Sequence, residues 1–215
     1  MRNKKTDVKK IELVKQLSTL RDHIDIHRII GINVDSIRES GTSEAFVGYL
    51  QSAAHDGLAM YISKIYEPSG RNDLNSIPGI IESLPARKPS KRQSEALAKF
   101  GTKYSNAATP VEVRSFLLAT FGLFHGLHSR SILRLKLYRD TIGAHSDRKA
   151  KRDALPSHDE FETLHGFALD FYNVVAKVIS DVGPARVPRK AGAGLLRILE
   201  SLGVDHPQFD FSPDK

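Results

Sequence analysis

One seven-residue stretch, from Arg139 and Asp140 to His145, combines side chains suited to acid–base and phosphate chemistry. An imidazole titrates close to neutrality, so it can accept or donate a proton at physiological pH. A guanidinium presents a planar fork of donors that matches phosphate oxygens. On a continuous helix, residues six apart point about 120° away from each other. A helix break at Gly143 would let the following loop fold the imidazole of His145 back towards the guanidinium of Arg139.

The surroundings of this stretch are basic. The chain has 32 Lys and Arg against 25 Asp and Glu, a formal charge of +7, and the window from Arg130 to Asp153 contains eight basic and three acidic residues. Clustered positive charge attracts polyanions at long range, and nucleic acid is the commonest of them. A solvated basic loop is the alternative interpretation, and charge alone does not separate the two.

The stretch resembles the signature of the HEPN domain family, in which an Arg, usually followed by a polar residue, precedes a His by a few residues in a small helical bundle. Ala144 before the histidine and Ser146-Asp147 after it resemble the abortive-infection-associated, AbiU-like branch. The resemblance spans roughly residues 13–182. Other segments also resemble parts of this branch: Tyr66-Glu67-Pro68, the segment from Leu74 to Leu84, Leu155-Pro156, and the helix that starts at Ser157.

The resemblance implies a metal-independent endoribonuclease in a toxin or antiphage-defence setting, with no cofactor. His145 would act as general base or acid at the ribose 2′-hydroxyl. Arg139 would hold the scissile phosphate and offset charge in the transition state, and Asp140 would orient either residue. Cleavage by the internal hydroxyl would leave a cyclic phosphate and a 5′-hydroxyl end. Two copies would form a homodimer in which two Arg/His sets share one cleft.

Phosphate contacts would dominate the binding of RNA, because the aromatic residues lie mostly at core spacing and form no base-stacking platform. Affinity built on such contacts falls steeply with salt. The candidate RNA-binding residues are Arg130, Arg134, Arg148, Lys149 and Arg152.

The same residues have interpretations without catalysis. An Arg at a helix C-terminus is favoured by the helix dipole by about 0.3 kcal/mol or more, and a His in the following loop can bond a free carbonyl. The alternative function is a noncatalytic HEPN-type module that binds a nucleotide or a partner protein. A third is a partner subunit of a nucleotidyltransferase, and in a toxin setting the partner would be an antitoxin.

Two histidine pairs invite a metal interpretation. His23 and His27 are four apart on the first predicted helix, a spacing that can hold a metal from one helix face. With no third ligand identifiable, we interpret them as solvated side chains and predict no metal site. His125 and His128 are interpreted as a partly buried, hydrogen-bonded pair among phenylalanines, or as lining the cleft of Arg139.

Apolar residues recur at three-to-four spacing through most of the chain, which predicts an all-α fold, an antiparallel up-and-down helical bundle. The strongest helix start is at Thr109, as the cap, with Pro110 as the first helical residue and Glu112 as the third. That helix would run some 30 residues to Tyr138 or Arg139, with Gly143 as terminator. Other helices are expected over residues 8–30, 44–67, 74–84, up to about 104, and from the capping box at 157–160.

The composition of the chain predicts its domain organisation and its cellular compartment. We expect a bundle domain over residues 1–183 and a C-terminal appendage over residues 184–215 with one short helix at 195–202, docked or flexible. The absence of cysteine excludes disulfides and thiolate chemistry. No run approaches the roughly 20 apolar residues that a bilayer requires, and the basic N-terminus leads into no apolar signal segment. We therefore expect a cytoplasmic protein with no membrane partner.

Overall fold

The computed structural model describes residues 4–68, 75–105, 109–144, 156–180, 185 and 187–204, with the backbone alone for 4–10, 141–144 and 179–180. Within these ranges every regular element is an α helix, which confirms the predicted all-α helical bundle. The described helices contain no segment long and apolar enough to span a bilayer. They are α1 (Lys4–Ile32), α2 (Val34–Glu39), α3 (Glu44–Tyr66), α4 (Ile77–Ser83), α5 (Lys91–Tyr104), α6 (Val113–Leu127), α7 (Ser129–Ala144), α8 (His158–Ser180) and α9 (Lys190–Ser201).

Helix α1 is a central element of the bundle and packs against α3, α4, α8 and α9. Its apolar residues recur at three-to-four spacing, and Leu13, Leu17, Leu20 and Ile24 are all fully buried. Burying a leucine or isoleucine side chain stabilises the fold by roughly 1.5–3 kcal/mol. The predicted first helix is therefore confirmed, and its apolar stripe provides one wall of the core.

An aromatic cluster joins the C-terminal end of α3 to α5, α6 and α8. The rings of Phe124 and Phe167 stack with centroids 3.8 Å apart and planes 10° from parallel. The hydroxyl of the buried Tyr66 donates to the carbonyl of Leu164 at 2.6 Å, and burial raises the pKa of that phenol well above its ordinary value. These contacts fix the last residue of α3, and with it the adjacent Glu67.

Helix caps follow the predicted pattern at α8 and add one at α5. Ser157 and Glu160 form the predicted capping box, with the Ser157 backbone donating to the Glu160 carboxylate at 2.7 Å and the Glu160 backbone donating to Ser157 Oγ at 3.3 Å. A second capping box, formed by Ser90 and Gln93, starts α5 and was not predicted. In both boxes a side chain satisfies a backbone donor that the first turn leaves open.

The predicted start of the 30-residue helix is wrong. Helix α6 begins at Val113, and Glu112, not Thr109, is its N-cap. The Glu112 carboxylate accepts from the backbone nitrogens of Arg114 and Ser115 at 2.7 and 2.9 Å. A carboxylate has two oxygens for these donors and carries the charge that a helix N-terminus favours. Pro110 therefore lies before the helix instead of at its first position.

The same predicted helix is divided in two at His128, which has φ −105° and ψ 12°. The next residue, Ser129, uses its hydroxyl to donate to the carbonyl of Gly126 at 2.9 Å. Backbone bonds from His128 to Phe124 and from Ile132 to His128, each 3.1 Å, still bridge the interruption. Helices α6 and α7 are therefore consecutive segments joined through one non-helical residue.

The predicted end of this region is also wrong, because α7 continues to Ala144 and contains Gly143. A single glycine costs a helix about 1 kcal/mol relative to alanine, which is too little to end it when packing favours continuation. Helix α7 packs along α3, and the hydroxyl of Tyr138 donates to Asp56 of α3 at 3.0 Å. The helix therefore does not end at Gly143, and His145 lies outside the described residues.

Helix α9 of the expected appendage is docked on α1 and not detached. It begins at Lys190, five residues before the predicted start. Its apolar face joins a second, smaller core with the ends of α1, α2 and α3. The buried members are Ile29, Ile30, Ile37, Val47, Leu195, Leu199 and Val204.

Close approach of α9 to α1 depends on the absence of a side chain at Gly192. A Cβ there would lie 3.1 Å from Asp25 Cβ and 3.4 Å from Ile29 Cδ1. We expect Gly192→Val to lower the free energy of unfolding by about 1–3 kcal/mol, because the added methyl groups overpack this contact. Chemical denaturation followed by circular dichroism measures the change. Gly194→Val is the matched control in the same helix, since a Cβ there meets nothing within 4 Å; equal losses for both variants would contradict the prediction.

Candidate functional site

Arg139 lies near the end of α7, where this helix meets the C-terminal end of α3. Its Nη1 is 2.6 Å from Glu67 Oε1. Its Nη2 and Nε donate to Asp140 Oδ1 at 2.6 and 3.0 Å. The fully buried Leu135 lies one turn earlier on the same side of the helix. The guanidinium is therefore held at the edge of the bundle, with 27% of its side chain exposed.

Two carboxylates set the electrostatics of this site. Burial would lower the pKa of Arg139, but hydrogen bonds and charge interactions with Asp140 and Glu67 outweigh it and raise that pKa. The three contacts use three of the five N–H groups of a guanidinium, which has further N–H groups that can donate to a phosphate oxygen. The three side chains together carry a formal charge of −1, which works against an approaching anion.

His145, the predicted acid–base residue, lies outside the described residues. The backbone is helical to Ala144, the residue that covalently precedes it. Ala144 is five residues after Arg139, or about 7.5 Å along the helix axis. The structure therefore brings Arg139, Asp140 and Glu67 together, and the pairing of Arg139 with His145 stays a prediction.

The predicted RNA-binding residues fall into two groups. Arg130 is exposed in the first turn of α7, whereas Arg134 is half-buried and faces α8. Hydrogen bonds from Ser131 and Ser157 lower the pKa of Glu160, and the charge of Arg134 adds to that effect. Arg130 is thus presented to solvent, while Arg134 interacts with the first turn of α8. The other three predicted residues, Arg148, Lys149 and Arg152, lie outside the described residues.

Two features were not predicted from the sequence: the role of Glu67 as a partner of Arg139, and a buried polar network around Arg21. Arg21 is 5% exposed, and its Nη1 and Nη2 lie 2.7 and 2.5 Å from the two carboxylate oxygens of Glu162. Nη1 also donates to Asp25 at 3.3 Å, and Nη2 donates to His165 Nδ1 at 3.0 Å. Arg21 follows the buried Leu17 by four residues, and this spacing was the available signal that it faces the core.

The central groups of this network have little access to solvent, since Arg21, Asp25 and His165 are each at most 5% exposed. Asp25 is fully buried, and Arg189, before α9, is 3.9 Å from it. Burial, followed by the charge of Arg21, lowers the pKa of His165 to about 3. Burial would raise the pKa of Glu162, but Arg21 and His158 outweigh it and hold that pKa far below its usual value. The network therefore joins α1, α8 and the start of α9 through fixed charges.

The histidines of α1 are half-buried, which corrects the interpretation that they are solvated. The His27 ring lies 4.3 Å from that of His55 on α3, and the His23 ring stacks on Tyr61 with centroids 5.7 Å apart. Across the described part of the chain, no three His, Cys, Asp or Glu side chains are arranged to hold a metal ion. His125 and His128, also half-buried, pack their rings on Phe121 and Phe124.

The lowered pKa values of His27 and of His165 predict that the fold loses stability in acid. Burial, then the neighbouring His55 and His158, lowers the pKa of His27 from 6.5 to about 4, and that of His165 is lowered further. The unfolded chain therefore binds protons that the folded chain excludes. We expect the free energy of unfolding to be highest above pH 6.5 and to fall as the pH drops towards 4. Denaturation at several pH values measures this, and His27→Gln should flatten the curve; an unchanged slope would contradict the assignment.

Comparison of the chain with protein-family models, curated proteins and solved structures finds no match in any of the three.

Proposed function

We propose that the chain is a HEPN-like, metal-independent endoribonuclease that acts in a toxin or antiphage-defence setting. The observation that carries the proposal is the position of Arg139. Its guanidinium is fixed by Glu67 and Asp140 at the bundle edge, partly exposed, a little over one helical turn before the residue that precedes His145. A cation fixed before substrate arrives needs little reorganisation to stabilise charge in a transition state.

In the proposed reaction, the His145 imidazole accepts the proton of a ribose 2′-hydroxyl. The 2′-oxygen then bonds to the adjacent phosphorus as the bond from phosphorus to the 5′-oxygen breaks. The leaving 5′-oxygen takes a proton from an acid group or water, so the products are a cyclic phosphate and a 5′-hydroxyl end. Arg139 offsets the charge on the phosphorane-like oxygens, and Asp140 keeps its guanidinium oriented.

RNA would be attracted by the basic stretch that includes Arg130 and the segment after α7. Phosphate contacts of this kind give sequence-independent, salt-sensitive binding. The homodimer with a shared cleft, expected from the resemblance, stays a prediction for this site.

A second candidate function is a noncatalytic HEPN-type module that binds a nucleotide or a partner protein, such as a nucleotidyltransferase. The net negative charge of Arg139 with its two carboxylates favours a noncatalytic role and a partner protein over an anionic ligand at this position. In this role Arg139 ties α7 to α3 and contacts no substrate.

Incubation of the purified protein with total RNA, with and without EDTA, distinguishes the ribonuclease proposal from the binding-module proposal. The ribonuclease proposal predicts cleavage in both conditions. The binding proposal predicts intact RNA and, for a nucleotide or RNA ligand, association that weakens as salt is raised. Cleavage that disappears with EDTA would contradict the metal-independent mechanism.

A further inference from the structure

The exposed side of α6 is entirely apolar after the first turn of the helix. Leu118, Leu123 and Leu127 are 53%, 54% and 78% exposed. The other exposed residues between positions 116 and 127 are Ala119, Gly122 and Gly126. A helix side that faces water normally carries polar residues, so this side indicates a contact with an apolar partner. We call these six residues the α6 face.

The α6 face is one continuous surface that the rest of the bundle leaves open. At 3.6 residues per turn its members cover an arc of about 180°, with Leu118 at one edge, Leu127 at the other and Gly122 between them. A Cβ at Gly122 or Gly126 would meet nothing within 4 Å. The opposite side of α6, with the buried Phe121 and Phe124, packs in the core. Nothing in the described part of the chain therefore covers the middle of the face.

The surroundings of the α6 face are positively charged. The chain contains no acidic residue from Val113 to Arg139. Helices α4 and α5 pack beside α6, and they and their connection have only two exposed carboxylates, Glu82 and Glu95. Against these stand six exposed cations: Arg87, Lys88, Lys91, Arg92, Lys99 and Lys103. The connection lies close to the start of α6, since the Val113 nitrogen donates to the Arg87 carbonyl at 3.1 Å.

We propose that the α6 face binds the surface of a membrane that contains anionic lipids. Leu118, Leu123 and Leu127 enter the boundary between headgroups and acyl chains, and the cations beside α6 contact the lipid phosphates. Buried apolar area and attraction to anionic headgroups both strengthen binding of this kind. The expectation of no membrane partner came from the absence of spanning and signal segments, which does not bear on a contact at the membrane surface.

Other occupants fit the α6 face less well. RNA would use the cations through its phosphates but leave the leucines in water. Protein partners are bound mainly through aromatic and arginine side chains at the centre of an interface, and the α6 face contains only leucine, alanine and glycine. A lipid surface makes no directional demand, so an aliphatic face with cations beside it matches an anionic membrane.

Membrane binding is independent of the proposed ribonuclease activity. Arg139, Asp140 and Glu67 belong to α7 and to the end of α3, and none of them is part of the α6 face. Binding to vesicles and cleavage of RNA are measured in separate experiments, so one proposal can fail while the other holds.

Flotation of the full chain with lipid vesicles tests the proposal. We expect binding to phosphatidylcholine vesicles that contain about a third phosphatidylserine, and weaker binding as salt is raised or phosphatidylserine is left out. Leu123→Glu should weaken binding to the anionic vesicles at least about tenfold, because the burial of a leucine is lost and a carboxylate approaches the lipid. Ile198→Glu is the matched control, since Ile198 is 51% exposed on α9, outside the α6 face, and it should leave binding unchanged.

The double variant Lys88→Glu with Lys91→Glu tests the electrostatic part. It should weaken binding to the anionic vesicles at least about tenfold, since each cation near such a surface contributes about 1 kcal/mol, or roughly fivefold. An acidic residue in the first turn of α5 suits the helix dipole, and circular dichroism checks that each variant is folded.

Three outcomes would overturn the proposal. The wild type could stay unbound in the presence of anionic vesicles, or Leu123→Glu could bind them as tightly as the wild type does. The third is a wild type that sediments as a dimer without lipid while Leu123→Glu is monomeric, because a second copy would then cover the α6 face.

Discussion

Arg139→Ala and His145→Ala are each expected to lower the rate of RNA cleavage at least about a hundredfold. Loss of the guanidinium removes a fixed positive charge from the transition state, and single groups of this kind contribute about 10²–10³ in rate. Loss of the imidazole removes the proton acceptor, which contributes about 10²–10⁴. Single-turnover cleavage of a labelled RNA in EDTA measures both effects.

Two further variants separate catalysis from folding. Arg139→Lys keeps the charge but loses the planar fork, and we expect it to recover only part of the rate. Arg114→Ala removes an exposed arginine at the start of α6, distant in sequence from Arg139, and should keep nearly full activity. If Arg139→Ala and Arg114→Ala cleave at the same rate while both remain helical, Arg139 has no part in the chemistry.

The largest expected stability effect is at Arg21. Arg21→Met should lower the free energy of unfolding by about 3 kcal/mol or more, because it leaves the carboxylates of Glu162 and Asp25 without their main cation inside the bundle. Asp25 is fully buried, so it cannot recover the lost interaction from solvent. Urea denaturation at neutral pH measures the change.

Adding Glu162→Gln to Arg21→Met should restore part of the lost stability, since it removes one uncompensated charge. Lys15→Met is the matched control on the same helix, because the Lys15 side chain is 67% exposed and its partner Glu12 is 3.5 Å away. An exposed pair of this kind contributes roughly 0–1 kcal/mol. Equal losses of unfolding free energy for Arg21→Met and Lys15→Met would show that the buried network stabilises the fold no more than an exposed ion pair does.

Much of the helical framework could be predicted from spacing and caps. The apolar periodicity of α1 and the capping box of α8 depend only on neighbouring residues, and both are found as predicted. The position of Arg139 on the core-facing side of α7 follows in the same way from its distance to Leu135. Local signals of this kind survive folding because tertiary packing reinforces them.

The parts that could not be predicted depend on contacts between residues far apart in the sequence. Glu67 pairs with Arg139 only because α3 packs along α7, which no local pattern encodes. The continuation of α7 through Gly143 could not be predicted either, because a single glycine is only a weak signal for a helix end. Arg21 could have been placed on the buried side of α1 by its spacing, but its partner Glu162 could not.

Analysis of the RNA ends left by the wild-type protein in EDTA tests the central claim most directly. Attack by the 2′-hydroxyl, with Arg139 and His145 acting on the same phosphate, predicts a cyclic phosphate on one fragment and a 5′-hydroxyl on the other. Fragments with 5′-phosphate and 3′-hydroxyl ends, or RNA that stays intact, would contradict it.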